Sequence, residues 1–194
     1  MRHMVIPADV TVVLVRHGET EWSSSGRHTS FTDVPLTAHG RDEARPLAAR
    51  LAGVEFALVL TSPRQRARDT CALAGLADRA EITDELCEWN YGEYEGRTTD
   101  EIRAMVPDWT IFSSGAPGGE TAEQVVTRAD RVLARACAAG GPVALFSHGH
   151  FLRVLGARWV GLPASGGALF GLDPATLSFL GHERDQRVLR VWNS

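Results

Sequence analysis

Cysteine is scarce in this sequence, and its placement excludes two classes of small protein. Cys71, Cys87 and Cys137 are odd in number, widely separated and without a Cys-x-x-Cys pair. Disulfide frameworks use an even set of cysteines, and structural zinc sites use closely spaced ligands. The pattern therefore indicates neither, and it is typical of a reducing compartment, so we predict a cytoplasmic protein.

The sequence also lacks a long apolar run and an excess of positive charge. No stretch approaches the roughly 20 apolar residues that span a bilayer, and residues 1–7 have no signal-peptide core. With 20 Lys+Arg against 24 Asp+Glu, the formal net charge is −4. A chain of this charge has no overall attraction for nucleic acid or for an anionic membrane. We predict neither partner, and any anion site must be built locally.

Length and composition indicate an ordinary globular chain. Its 194 residues are 44% hydrophobic and 23% charged, values that are typical of soluble domains. This length suffices for one well-buried core and is short for two. We therefore predict a single domain over residues 1–194.

Buried strands alternate with helical segments along most of the chain. Apolar runs predict strands at residues 10–15, 56–60 and 143–147, each followed by a helix or a long crossover. The last thirty or so residues indicate antiparallel strands near 177–181 and 188–192. This order predicts an α/β fold, a three-layer α/β/α sandwich with a mostly parallel central sheet.

Several connections can be interpreted from single residues. Thr37 opens a helix that Pro46 is expected to kink or end. Residues 19–35 form a long polar loop, which we expect Trp22 and Phe31 to pin to the body of the protein. A further helix is predicted to begin at about Phe151.

Polar residues follow three of the predicted strands. If those strands are parallel, their carboxyl ends share one edge of the sheet, where α/β proteins bind ligands. Guanidinium groups match phosphate oxygens bidentately and stay charged at any working pH. The edge is thus predicted to bind a phosphoryl group with two arginines, two histidines, a serine and a glycine: Arg16, His17, Ser62, Arg66, His148 and Gly149.

A nucleophile and an acid can be assigned in the same region. An unprotonated imidazole nitrogen can attack phosphorus when a backbone carbonyl holds the proton of the other nitrogen. His17 is the candidate, and Gly18 lets the backbone approach closely. Glu88 has apolar neighbours, which raise a carboxyl pKa and suit it to protonate a leaving alkoxide. Glu120 is interpreted equally well as a helix N-terminal acid or as a ligand.

His148 and His150 are also compatible with a pair of metal ligands. No convincing third and fourth ligand is found nearby, and arginines would repel a metal cation. We therefore predict a site that uses no metal and no cofactor.

Five blocks in order along the chain carry a resemblance to a known family. They are Arg16-His17-Gly18-Glu19-Thr20, Ser62-Pro63-x-x-Arg66-Ala67, Glu88-x-x-Tyr91-Gly92-x-x-Glu95-Gly96, Gly118-Gly119-Glu120 and Ser147-His148-Gly149. From about residue 11 onwards the sequence resembles the histidine phosphatase superfamily, in the branch that includes cofactor-dependent phosphoglycerate mutases. The resemblance implies a phosphoglycerate mutase-like fold and a phosphohistidine intermediate at His17. It also implies a phosphate pocket of Arg16, Arg66 and His148, with Glu88 as proton donor and acceptor.

Three further blocks are similar to fungal sedoheptulose-bisphosphatase-like enzymes and related bacterial phosphatases. They are Glu21-Trp22-Ser23-x-Ser25-Gly26-Arg27-His28-Thr29, Thr32-Asp33-x-Pro35-Leu36-Thr37 and His148-Gly149-His150-x-Leu152-Arg153. This similarity implies substrate contacts at Ser23, His28, Thr29, Ser62 and Arg153, to which we add Gly18 and Gly149. Mutases usually have asparagine where Ser23 stands and a longer insertion before the second histidine motif.

Together these features predict a metal-independent phosphatase. Its expected substrate is a small phosphorylated metabolite, a sugar phosphate or bisphosphate, hydrolysed through a phosphohistidine. Two alternatives stay open: a cofactor-dependent phosphoglycerate mutase, and a non-catalytic module that binds phosphorylated protein.

Overall fold

The computed structural model describes residues 10–194, and its centre is a six-stranded sheet. The strands are β1 (Val10–Arg16), β2 (Leu58–Thr61), β3 (Ala80–Ile82), β4 (Val143–Ser147), β5 (Leu177–Glu183) and β6 (Gln186–Val191). Their order across the sheet is β3-β2-β4-β1-β5-β6. The first four of these are parallel, and β5 and β6 are antiparallel to their neighbours. The mostly parallel sheet and the antiparallel finish confirm the prediction.

Helices cover both faces of this sheet. They are α1 (Glu21–Ser24), α2 (Ala38–Ala44), α3 (Pro46–Leu51), α4 (Gln65–Leu73), α5 (Thr99–Arg103), α6 (Ile111–Ser114), α7 (Ala122–Cys137) and α8 (Gly149–Trp159). Successive residues of a strand point to opposite faces. Val12 and Leu14 accordingly pack in one core with α7 and α8, whereas Val13 and Val15 pack in another with α2, α3 and α4. Two cores separated by the sheet make the three-layer sandwich that was predicted.

The register of the parallel strands brings three chain segments to one edge. Arg16 pairs with Ser147, and Thr61 pairs with Phe146, so β1, β2 and β4 end at nearly the same level. The polar residues that follow each strand therefore lie together, as the sequence predicted. No helix within residues 10–194 has the length and hydrophobicity needed to cross a membrane.

Two helix boundaries can be compared with the predictions, and the second of them lies at the functional edge. Pro46 ends the first helical segment, because α2 stops at Ala44 and α3 starts at the proline, as predicted. The helix expected from Phe151 in fact begins at Gly149, with His148 as its N-cap. Strand β4 passes into this helix through a single residue, so the N-terminus of α8 lies at the functional edge.

The loop over residues 25–33 is anchored differently from the prediction. Phe31 is 51% exposed, so its expected role as an anchor is wrong. Instead the Glu95 carboxylate accepts hydrogen bonds from the backbone N–H groups of Ser30 and Thr32, at 2.9 and 3.1 Å. Trp22 packs against Gly96, where an added Cβ would lie 3.0 Å from the indole ring. A half-buried carboxylate thus holds the part of the loop that Phe31 was expected to anchor.

Candidate active site

A cavity of about 170 Å³ opens at the carboxyl edge of the sheet. Eight of the predicted site residues line it: Arg16, His17, Ser23, His28, Thr29, Glu88, Gly149 and Arg153. The other four lie behind or beside this wall: Gly18, Ser62, Arg66 and His148. Five lining residues had not been assigned a role: Gly26, Arg27, Tyr91, His150 and Leu172. The structure therefore gathers most of the predicted site in one place.

His17 sits at the end of β1 in a defined tautomer. Its Nδ1 is 2.8 Å from the carbonyl oxygen of Gly18. A carbonyl oxygen only accepts, so Nδ1 carries the proton and Nε2 keeps a free lone pair. Burial lowers the pKa of His17 well below the usual value, and the charges of Arg66 and Arg16 lower it further. The ring is thus uncharged at neutral pH, with its proton on Nδ1.

His148 lies beside His17, with ring centroids 5.1 Å apart. The Arg66 Nε–H donates to His148 Nδ1 at 3.2 Å, and Nε2 is 2.8 Å from the Ser62 hydroxyl oxygen. Because the guanidinium only donates, the proton of a neutral His148 is on Nε2. Burial lowers the pKa of His148 well below its usual range. The second histidine is therefore neutral, and it directs its Nε2–H at the Ser62 hydroxyl beside the first histidine.

Arg66 is fully buried and does not line the cavity. Its Nη1 donates to the carbonyl oxygen of Thr32 at 3.0 Å, and its Nη2 donates to those of Thr29 and Ser30, at 3.2 and 3.0 Å. Together with its bond to His148, these contacts occupy most of the guanidinium donors. Direct phosphate binding by Arg66 stays a prediction. What the structure shows is a side chain that joins the second histidine to the loop over residues 25–33.

Arg16 has the opposite character, because one of its donors is unpaired. Its Nη1 donates to the carbonyl oxygen of Leu172, but its buried Nε–H has no hydrogen-bond partner within residues 10–194. A buried unpaired donor costs about 1–3 kcal/mol, more for a charged group. The guanidinium lines the cavity, and an added Cβ at Gly149 would lie 3.4 Å from its Cζ and Nε. Such a donor fits an anion bound in the cavity.

Glu88 is held at the N-terminus of α8. Its Oε1 accepts from the backbone N–H groups of Trp89 and Phe151, at 2.9 and 2.7 Å, and its Oε2 accepts from that of His150 at 3.0 Å. Burial raises the pKa of Glu88, and the three N–H donors and Arg16 only partly offset this rise. The carboxyl group is therefore fixed in direction and retains its proton to a higher pH than an exposed glutamate.

The remaining wall is built from neutral polar rings. The Tyr91 hydroxyl lies 2.5 Å from His150 Nδ1, and the His28 ring packs against both residues. Burial lowers the pKa of His150 well below its usual value and raises that of Tyr91. Tyr91, His150 and Arg27 all lie in the recognised motifs, so the signal was present although no role was assigned. A sequence motif identifies a short segment as part of the site, but only the structure shows which side chains of that segment line the cavity.

Two predicted residues serve the scaffold. Gly18 does not line the cavity, and its N–H donates to the Thr70 hydroxyl at 3.1 Å. Glu120 also lies outside the lining and binds Arg128 at 2.8 Å and the backbone N–H of Asn90 at 2.9 Å. Its carboxylate thus links the backbone at Asn90 to the side chain of Arg128 in α7. In the described part of the chain, no group of three or more His, Cys, Asp or Glu side chains could hold a metal ion.

His28 gives a prediction for stability against pH. Burial lowers its pKa to about 4 from an ordinary value of 6.5. Between these values the unfolded chain binds a proton that the folded chain does not, so stability falls as pH falls. Relative to His28→Asn, the natural protein is expected to lose roughly 2 to 3 kcal/mol of unfolding free energy from pH 6.5 to 4. Urea unfolding of both proteins measures this, and equal losses would contradict the burial of a neutral ring.

Comparison with known proteins agrees with the fold and with the sequence motifs. A model of the histidine phosphatase superfamily (branch 1) matches residues 12–194. An acid phosphatase of Mycobacterium tuberculosis is 44% identical over 185 residues, covering 93% of this chain and 90% of that protein. Sedoheptulose 1,7-bisphosphatase of Saccharomyces cerevisiae is 36% identical over 182 residues, covering 77% and 67%. Phosphoglycerate mutases are also among the relatives.

A solved structure gives the same result in three dimensions. The product of a functionally characterised Mycobacterium tuberculosis open reading frame superposes with a TM-score of 0.89 at 42% identity, covering 94% of this chain and 96% of that one. The relatives named as phosphatases show that this chain is a phosphatase. The chain belongs to the histidine phosphatase superfamily, branch 1.

Proposed function

We propose that this phosphatase hydrolyses a small phosphorylated metabolite, a sugar phosphate or bisphosphate, through a phosphohistidine at His17. The observation that carries the proposal is the state of His17. Its Nδ1 proton is held by the Gly18 carbonyl, its Nε2 lone pair is free, and its ring lines a cavity with Arg16 and Glu88. A nucleophile, a cationic donor and a carboxyl group within one small cavity are the components of metal-independent phosphoryl transfer.

The first half-reaction transfers the phosphoryl group to the enzyme. His17 Nε2 attacks phosphorus in line, the N–P bond forms, and the bond from phosphorus to the ester oxygen breaks. The unpaired Nε–H of Arg16 stabilises the charge on the phosphoryl oxygens. His148 supplies a second donor when its Nε2–H turns from the Ser62 hydroxyl, to which it is bound in the free enzyme, to the phosphoryl group. Protonated Glu88 gives its proton to the departing alkoxide, so the leaving group departs as a neutral alcohol.

The second half-reaction returns the enzyme to its starting state. Ionised Glu88 takes a proton from water as the water oxygen attacks phosphorus. The N–P bond then breaks, which releases inorganic phosphate and restores the lone pair of His17. Glu88 is suited to both roles, because burial raises its pKa while three backbone N–H groups stabilise its carboxylate.

The substrate class is supported by the charge and polarity of the cavity. Arg27 and Arg153 line it in addition to Arg16, while Glu88 is the one acidic lining residue within the described residues 10–194. The hydroxyl and imidazole groups of Ser23, Thr29 and His28 complete the wall. Guanidinium groups favour an anionic substrate, and the neutral polar groups suit the hydroxyls of a sugar. A related enzyme from yeast acts on such a substrate by its name, sedoheptulose 1,7-bisphosphatase.

A substrate screen with product analysis tests the proposal. Purified enzyme is given a panel of phosphorylated metabolites, ranked by kcat/KM, and inorganic phosphate is measured together with the free alcohol. We expect equal amounts of both products, with sugar phosphates or bisphosphates ranked highest. In the same panel, 3-phosphoglycerate is supplied with 2,3-bisphosphoglycerate, and conversion to 2-phosphoglycerate without phosphate release would identify a mutase instead.

A further inference from the structure

Thr70 of α4 is a buried hydroxyl beside the backbone that orients His17. In the structure its side chain is fully buried and makes two hydrogen bonds. The hydroxyl donates to the carbonyl oxygen of Arg66 at 2.7 Å and accepts from the backbone N–H of Gly18 at 3.1 Å. Because the donor is committed to Arg66, the oxygen lone pair that faces Gly18 has a fixed direction.

Gly18 is held on a second side by Gly40. A Cβ at Gly18 would lie 2.4 Å from the Gly40 carbonyl oxygen, so the two backbones are in direct contact. With its N–H bound to Thr70 and its Cα against Gly40, Gly18 has little freedom to rotate. Its carbonyl oxygen therefore keeps the direction in which it accepts the Nδ1–H of His17.

We propose that Thr70 is a positioning residue that fixes the reactive tautomer of His17 through Gly18. The hydroxyl orients Gly18, the Gly18 carbonyl holds the proton on Nδ1, and Nε2 is left free for attack. The same helical turn acts on the second histidine, because the Arg66 Nε–H fixes the proton of His148 on Nε2. One turn of α4 thus sets the proton positions of both histidines. The proposal rests on His17 as the nucleophile.

Two substitutions at Thr70 test this role. Thr70→Val keeps the shape and removes the hydroxyl, whereas Thr70→Ser keeps the hydroxyl. We expect Thr70→Val to lower kcat for p-nitrophenyl phosphate by about 10- to 100-fold with KM nearly unchanged, since small misplacements of a reacting group have effects of this order. Thr70→Ser should restore most of the rate. Ser178→Ala is the matched control, because Ser178 lies in β5 and its buried hydroxyl accepts a hydrogen bond from the backbone N–H of Asn193.

The tautomer itself is measured by nitrogen NMR of the histidine rings, with His17→Gln used to assign the signals. The natural protein should show His17 protonated on Nδ1, and Thr70→Val should show a mixture of tautomers. An unchanged tautomer in Thr70→Val, or a kcat loss no greater than that of Ser178→Ala, would overturn the proposal. The tautomer measurement does not depend on turnover. It therefore tests Thr70 as a positioning residue even if His17 is not the nucleophile.

Discussion

Replacing His17 with alanine is expected to lower kcat for phosphate ester hydrolysis by on the order of 10⁴-fold or more. The reason is that His17 offers the free Nε2 lone pair beside Arg16 and Glu88 in the cavity. Without it, water must attack the ester directly. The measurement is steady-state hydrolysis of p-nitrophenyl phosphate. A second measurement is the amount of phosphoryl label bound to the enzyme when turnover of a phosphorus-labelled ester is quenched.

His39→Ala is the matched control for this substitution. His39 is an exposed histidine that pairs with Glu43 on α2, away from the cavity. Its loss should leave kcat and labelling unchanged within about twofold. If His17→Ala retained a tenth or more of the natural rate, the nucleophile would have to be another group, and the two-step reaction would be wrong.

Glu88→Gln is expected to have an effect that depends on the leaving group. For an alkyl phosphate, loss of the general acid should slow phosphorylation of the enzyme by about 10²- to 10⁴-fold. Nitrophenolate leaves without protonation, so its release in the first turnover should slow far less. The second step still needs a base, so phosphorylated enzyme should accumulate after a burst of nitrophenol.

Stopped-flow detection of the nitrophenol burst, together with quenched-flow measurement of alcohol release from the alkyl phosphate, checks this prediction. Glu93→Gln is the control, because Glu93 is an exposed carboxylate in the same loop and lies outside the cavity lining. Equal losses for the alkyl and nitrophenyl esters in Glu88→Gln would show that Glu88 does not protonate the leaving group. The burst separates the two half-reactions, which a steady-state rate alone does not.

The sequence was sufficient to predict the sheet and the edge at which the site lies. Buried apolar runs have few ways to pack, and three of them end in polar residues, so parallel strands bring those residues together. The register of β1 with β4 and of β2 with β4 confirms this reasoning. The order of the five motif blocks also predicted the family. Each block is a short run of neighbouring residues, so it can be recognised from the sequence without coordinates.

What the sequence did not show are contacts between side chains and distant backbone. Phe31 was expected to anchor a loop that Glu95 holds through the N–H groups of Ser30 and Thr32. Arg66 was expected in the phosphate pocket, yet most of its donors bind backbone carbonyls and His148. Neither kind of contact leaves a recognisable pattern in the sequence, because backbone donors and acceptors are present at nearly every residue.

The start of α8 is a second case with consequences for the site. From the sequence, the strand was predicted to end in Ser147-His148-Gly149-His150 and the helix to begin at about Phe151. In the structure, however, β4 ends at Ser147 and α8 begins at Gly149, with His148 as the N-cap. That shift of two residues gives Glu88 the backbone N–H groups of His150 and Phe151.

The most direct test of a covalent intermediate at His17 is rapid quenching of the enzyme during turnover, followed by peptide mapping. The experiment uses a phosphate ester labelled on phosphorus and compares acid with alkaline quenching. We expect label on the peptide that contains His17, stable to alkali and lost in acid, and formed at least as fast as product appears. Label on another residue, or product formed at full rate with no labelled enzyme at any time, would contradict the mechanism.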